Sequence, residues 1–248
     1  MLTNLEGVLD ELEFLATAEH ALIVEYLSVC CALGHDLDAQ DGGPTTDRTR
    51  QAAGAAAGLA FGEMIHFRDI NRALVASDRT ARTERADRID TATGPISLVP
   101  PDEPSLQRLL EREEAIAKAV DHKYAQLLPA VTSDPVFKGE LLDEWRRVIL
   151  ENGPSHVGAL TDLRTALHGL APTDFLRATR RDANGAFEQR LLDTNDRMYG
   201  LVLTVLRGAF DPNPDVAGAF SGVPFPAMQA MDESNRLLVQ RGLLPPFT

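Results

Sequence analysis

Apolar residues near the start of the chain recur every three or four positions, and this spacing is the strongest constraint on the fold. One stripe contains Leu5, Val8, Leu12, Leu15, Leu22, Ile23, Tyr26 and Cys30. A period of about 3.6 residues is typical of an amphipathic α-helix. The same period returns in later segments, and no alternating pattern long enough to predict a strand is present. The sequence therefore predicts an all-α fold.

Six helical segments are predicted along the chain, with a loop at "DAQDGGPTTD" and two longer irregular connections. A long, polar connection from Ala76 to about Pro104 is expected to cross between the ends of an up-down bundle. The Pro- and Gly-rich stretch "DPNPDVAGAFSGVPFP" is expected to be a loop. The result is one domain over 1–248, with a four-helix bundle in about 1–170 and a helical extension in about 171–248. The predicted helices are Leu5 to Cys30 with a stop at Gly34, Asp47 to Leu74, Ser105 to Leu128, Val136 to Leu167, Phe187 to Phe210, and Pro226 to Arg241.

Composition excludes some classes of partner. The 248 residues carry a net charge of −13, whereas nucleic-acid-binding proteins usually show a basic surface. The sequence contains no run of eighteen apolar residues, so no membrane span is predicted. The two cysteines, Cys30 and Cys31, are adjacent, so they are expected to be reduced and to pack as small apolar residues. We therefore expect a cytoplasmic protein with no nucleic-acid or membrane partner.

Acidic residues and a histidine interrupt the apolar faces of the first three helices. Glu19 lies at the centre of the first stripe, where an unpaired carboxylate would be costly to bury. Glu63 and His66, three residues apart, share the inward face of the second helix. The third helix places Glu113 at the centre of its apolar face and Glu114 at its edge. Several acidic residues project away from these faces: Glu11, Glu13, Glu25 and Glu111.

This pattern predicts a carboxylate-bridged metal centre. Bundles that hold two iron or manganese ions take one Glu from each of two helices and a Glu-x-x-His pair from each of the other two. The fourth helix departs from that rule, because Glu151 and His156 are five residues apart around Pro154. A π-bulge or a helix break at "NGP" would bring them together, and in the second case Glu144 competes with Glu151. The remaining histidines are expected to support the site from outside or to lie on the surface: His20, His35, His122 and His168.

Several short motifs resemble one known family. "LATAEHALIVEYLSVCCAL", "GEMIHFRDINRAL" and "ILENGPSH" are similar to segments of the ferritin-like domain of iminophenyl-pyruvate dimer synthases from bisindole pathways such as those of violacein and rebeccamycin. The tail is similar in outline through "DTNDRMYGLVLTVL" and "FPAMQAMDESNRLL". The resemblance implies a ferritin-like four-helix bundle with additional C-terminal helices. The resemblance supports five residues as ligands: Glu19, Glu63, His66, Glu151 and His156. The Glu of the family's third helix corresponds to a position as early as Glu111 in this chain.

The function predicted is that of an O2-dependent non-haem di-iron oxidase or oxygenase in specialised metabolism. Manganese is the alternative metal. The partners expected are a small organic, amino-acid-derived substrate, O2 and an electron donor, with a homo-oligomer left open. Two alternatives are a non-redox metal enzyme and a ferritin-like iron-binding protein without catalysis. In a third, metal-free alternative, the inward Glu residues are protonated or paired with Arg68, Arg146 or Arg147.

Overall fold

The computed structural model describes residues 5–34, 44–91, 94–98, 106–133, 143, 145, 146 and 156–247. This part of the chain is mostly helical, with one short β-hairpin, which confirms the predicted all-α class. Eight helices are described: α1 (Leu5–Leu33), α2 (Pro44–Ala76), α3 (Leu106–Ser133), α4 (His156–Leu167), α5 (Pro172–Phe175), α6 (Ala186–Ala209), α7 (Pro214–Phe220) and α8 (Pro224–Val239).

The first two helices form the longest packed pair. The predicted apolar stripe of α1 is buried, and α1 ends where Gly34 adopts a left-handed φ of 73° and donates its N–H to Cys31. Helix α2 packs on α1 through small side chains such as Ala52, Ala56 and Ala60. Arg79, just after α2, pairs with acidic residues near the start of α1. The two helices are therefore antiparallel.

Helices α3 and α4 complete a four-membered arrangement with this pair. α1 packs on α2, α2 on α4, α4 on α3, and α3 on α1. Arg48, in the first turns of α2, donates to the carbonyls of Ala166 (2.9 Å) and His168 (2.5 Å) at the end of α4. These carbonyls at a helix C-terminus need partners from outside the helix. The same contacts show that α2 and α4 are antiparallel.

The connection after α2 contains regular structure that the sequence analysis did not predict. Strands β1 (Arg88–Thr91) and β2 (Gly94–Ser97) form an antiparallel hairpin. Its Ile89 is fully buried in the same core as α1 and α2, and β1 also packs on α3. The expectation of an irregular connection over this part was wrong. A four-residue strand is too short for its periodicity to be recognised.

The segment between α2 and β1 is fastened along α1. Arg82 pairs with Glu13, and the N–H of Ala86 donates to the carbonyl of Thr17 at 2.9 Å. The side chain of Asn71 accepts from the N–H of Arg82 at 2.6 Å. We call residues 77–87 the α1 strap. It brings the backbone of Glu84 to within 3.3 Å of the His20 ring.

The C-terminal helices cover a second face of α1. Val24 and Cys31 of α1 belong to one buried cluster with Tyr199, Val202 and Met231 of α6 and α8. Cys30 faces the other core, and neither cysteine is in a disulfide. The stretch predicted as a loop between α6 and α8 contains α7, whose first turn is capped by Asn213, so that expectation was wrong in part.

Helix α1 is also long and apolar enough to cross a membrane by length and composition alone. In the described structure, 83% of its apolar window is buried inside the protein. A buried core helix passes the same test, so this property is weak evidence for a membrane span.

Candidate metal centre

Three ionisable side chains from α1 and α2 meet in the interior. Glu19 and Glu63 are fully buried, and His66 is 5% exposed. Nδ1 of His66 lies 3.0 Å from Oε2 of Glu63 and 3.5 Å from Oε2 of Glu19. One ligand atom from each residue lies within 4.8 Å of the others, so the group can hold a metal ion. We call Glu19, Glu63 and His66 the buried triad.

The helical periodicity explains why these residues meet. Residues three apart on a helix lie about one turn apart on the same side, and this spacing places Glu63 beside His66. Glu19 reaches them because the inward stripe of α1 faces α2. These three inward placements agree with the sequence analysis.

The buried triad holds protons in the absence of a cation. Burial and the neighbouring Glu63 carboxylate raise the pKa of Glu19 to about 8. Burial alone would lower the pKa of His66, but its bonds to Glu19 and Glu63 outweigh this effect and raise it to about 10. At neutral pH, Glu19 is therefore mostly neutral and His66 is charged. Two carboxylates buried together favour either a proton or a metal cation between them.

Tyr124 of α3 is in contact with the triad. Its side chain is buried, and its hydroxyl donates to Oε1 of Glu19 at 2.7 Å. The sequence analysis treated Tyr124 only as part of the apolar face of the third helix. The signal that could have identified it is its position on the same face as Glu113, since a tyrosine on an inward polar face needs a partner for its hydroxyl.

The predicted third-helix ligands stay predictions. Glu111, Glu113 and Glu114 lie within α3, but their side chains are outside the described part of the structure. Glu113 precedes Tyr124 by eleven residues, which corresponds to about 16 Å along the helix axis. Among the described side chains of α3, Tyr124 is the one that bonds Glu19.

The fourth-helix ligands also stay predictions. Glu144 and Glu151 lie outside the described residues, as does the stretch around Pro154 where a bulge or break was expected. His156 is the first described residue of α4, and its side chain is not described.

His20 and Glu25 occupy other faces of α1. His20 is buried, and its ring lies between the carbonyl of Glu84 (Nδ1, 3.3 Å) and the hydroxyl of Tyr199 (Nε2, 2.6 Å). Burial lowers the pKa of His20 to about 4, so the ring is neutral. The prediction that Glu25 points away from the core was wrong, because Glu25 is fully buried. A projection with a single buried stripe leaves the Glu25 side of α1 exposed, whereas α1 is buried on more than one side.

Other predicted polar residues lie where the sequence analysis placed them or outside the described structure. His122 and His168 are exposed, and His35 is not described. Glu11 pairs with Lys123 at 2.5 Å. Arg68 pairs with Asp69 at 2.7 Å, so in the described structure its ion-pair partner is not a member of the buried triad. Arg146 is exposed, and Arg147 lies outside the described residues.

No protein-family model matches this chain, and no curated protein or solved structure matches it either. The resemblance to the iminophenyl-pyruvate dimer synthase family therefore stays a prediction. What the structure supplies is a helical protein with a buried Glu/Glu/His group that can bind a metal ion.

Proposed function

We propose that this chain is an O2-dependent non-haem di-iron oxidase or oxygenase that acts on a small organic substrate. The observation that carries the proposal is the buried triad, in which Glu19, Glu63 and His66 present three ligand atoms within 4.8 Å of one another. Two carboxylate oxygens and one imidazole nitrogen suit iron or manganese. Bound iron would supply the redox chemistry with O2.

The residues of the triad fit a divalent cation. Oε2 of Glu19 is buried and lies 3.5 Å from Nδ1 of His66. An ionised carboxylate in such a place is costly unless it is paired or bonds a metal. A dication would offset both the burial of Glu19 and its repulsion from Glu63, which otherwise keep the pKa of Glu19 high.

The surrounding residues would keep water from the reacting atoms. Leu22, Tyr26, Leu59 and Ile70 are all buried in the core cluster shared by α1 and α2. A dry, low-dielectric environment strengthens the electrostatic interactions within a site. In this proposal the helices hold the triad in a fixed position, and the apolar side chains shape the space in which the substrate is oxidised.

A second metal ion would need ligands from the other two helices of the bundle. The candidates remain Glu113 or Glu114 on α3, together with Glu151, which precedes α4, and His156, the first described residue of α4. The ring of contacts among α1, α2, α3 and α4 supports a site that draws ligands from all four helices.

The test is metal analysis of protein that has been purified without oxygen. We expect about two irons per chain, and an optical change when air is added to the iron(II) protein. Glu63→Gln removes one carboxylate with little change in shape, so it should lose most of the bound iron. Glu233→Gln, at a surface carboxylate whose side chain is 67% exposed, is the matched control and should keep it.

The other outcomes would contradict the proposal at different levels. Zinc, or a bound metal that does not respond to air, would favour the non-redox enzyme. Tight iron binding with no substrate oxidation in a panel of indoles and amino acids would favour the binding protein. No metal in the wild type, or equal metal in Glu63→Gln and Glu233→Gln, would leave the metal-free alternative.

A further inference from the structure

A buried hydrogen bond connects α3 to one carboxylate of the triad. Tyr124 is 1% exposed, and its hydroxyl donates to Oε1 of Glu19 at 2.7 Å. The other oxygen of the same carboxylate, Oε2, faces Nδ1 of His66 at 3.5 Å. The two oxygens of Glu19 thus have different surroundings, because one accepts from a phenol and the other faces the triad.

The packing of α3 keeps the Tyr124 ring in place. Val120 and Leu127, about one turn on either side of it, are buried on the same face. The preceding residue, Lys123, pairs with Glu11 of α1 and lies 4.7 Å from the centroid of the Phe14 ring. Contacts on both sides of Tyr124 therefore fasten α3 to α1, and the hydroxyl donates from a fixed position.

We propose that Tyr124 is a positioning residue that selects which oxygen of Glu19 bonds the metal. This inference rests on the proposed metal-binding function. A donor to Oε1 stops the carboxylate from rotating and leaves Oε2 for the ion. The hydrogen bond also withdraws electron density from the carboxylate, which tunes the strength of its bond to the metal. Outer partners of this kind commonly change metal affinity by about 10- to 100-fold when they are removed.

The chain supplies a matched control for the loss of this hydroxyl. Tyr199 is also buried, and its hydroxyl lies 2.6 Å from Nε2 of His20. His20 is the residue that follows Glu19 in the chain. Tyr124→Phe and Tyr199→Phe therefore each delete one buried hydroxyl that contacts α1. Only the first deletion removes a bond to a member of the buried triad.

The experiment is an anaerobic titration with cobalt(II), whose visible absorption reports its coordination. We expect Tyr124→Phe to bind cobalt about 10- to 100-fold more weakly than the wild type and to show shifted absorption bands at full occupancy. Tyr199→Phe should keep the wild-type affinity and spectrum. A loss of stability alone would not change the spectrum of the saturated site, so the spectrum separates positioning from folding.

The outcomes separate this inference from the proposed function. If the wild type binds cobalt and Tyr124→Phe matches it in affinity and spectrum, the positioning role is refuted and the metal site stands. If the wild type binds neither cobalt nor iron, the proposed function fails and takes the inference with it. Should Tyr124→Phe not fold, fluorotyrosine placed at position 124 keeps the shape and strengthens the donor. An unchanged spectrum in that protein would also refute the role.

Discussion

Metal uptake by this chain should depend steeply on pH, because two of the three triad side chains are protonated in the metal-free protein. The pKa of Glu19 is raised to about 8 and that of His66 to about 10. A cation that bonds both residues must displace both protons below pH 8. Each displaced proton makes the apparent association constant rise about tenfold per pH unit. The expected rise is therefore about 100-fold per unit between pH 6 and 8.

The slope should change at the pKa of Glu19. Between pH 8 and 10 only the His66 proton remains to be displaced, so the rise falls to about tenfold per unit. Glu19→Gln removes one of the two displaced protons. Below pH 8, its apparent association constant should therefore rise about tenfold per pH unit rather than about 100-fold. Any loss of affinity would come in addition.

Manganese(II) is a convenient probe, because its free ion is measured directly by electron paramagnetic resonance. Titrations at pH 6, 7, 8 and 9 give the slope, and calorimetry in buffers of different ionisation enthalpy counts the protons released. An affinity that does not change between pH 6 and 8 would refute the reasoning. So would metal binding without proton release, or the same slope in wild type and Glu19→Gln.

Two further predictions concern the protein without metal. The raised pKa values of Glu19 and His66 stabilise the folded state fully below their unfolded values of 4.5 and 6.5, and this stabilisation is lost as pH rises through about 8 and about 10. The urea midpoint of the metal-free protein should therefore fall from pH 6 to pH 9. An unchanged midpoint would contradict the protonation of the triad. Arg82→Ala removes a partly exposed ion pair to Glu13, so global stability should fall by less than about 1 kcal/mol. Hydrogen exchange at the N–H of Ala86, which bonds Thr17, should nevertheless become faster, whereas an equal change at other core amides would show that the strap is not fastened locally.

The long helices and the triad were predictable because they depend on local periodicity. Helix α1 begins at the predicted Leu5, and α2 contains the whole predicted span from Asp47 to Leu74. A projection of about 100° per residue was enough to place Glu19, Glu63 and His66 inside. Such reasoning needs only one helix at a time.

The features that sequence reasoning missed depend on contacts between distant segments. A projection assumes one buried face, but α1 is covered by α2 on one side and by the C-terminal helices on another, and Glu25, which was predicted to point outward, is buried as well. Tyr124 bonds a residue 105 positions away, and no local pattern shows that partner. Hairpin β1–β2 depends on the burial of Ile89 against the helices.

His66 and His20 differ in their hydrogen-bond partners, and these partners, rather than the residue type, decide which of the two histidines can bind a metal. His66 lies against two carboxylates, and they raise its pKa to about 10. His20 is bonded to a carbonyl and a phenol, and burial lowers its pKa to about 4. The neutral His20 ring donates from one nitrogen and accepts at the other, so both nitrogens are already used in holding the α1 strap and α6. The side of α1 that faces Tyr199 therefore serves packing, while the side that faces α2 has the Glu19 carboxyl, which can bond a cation once its proton is displaced.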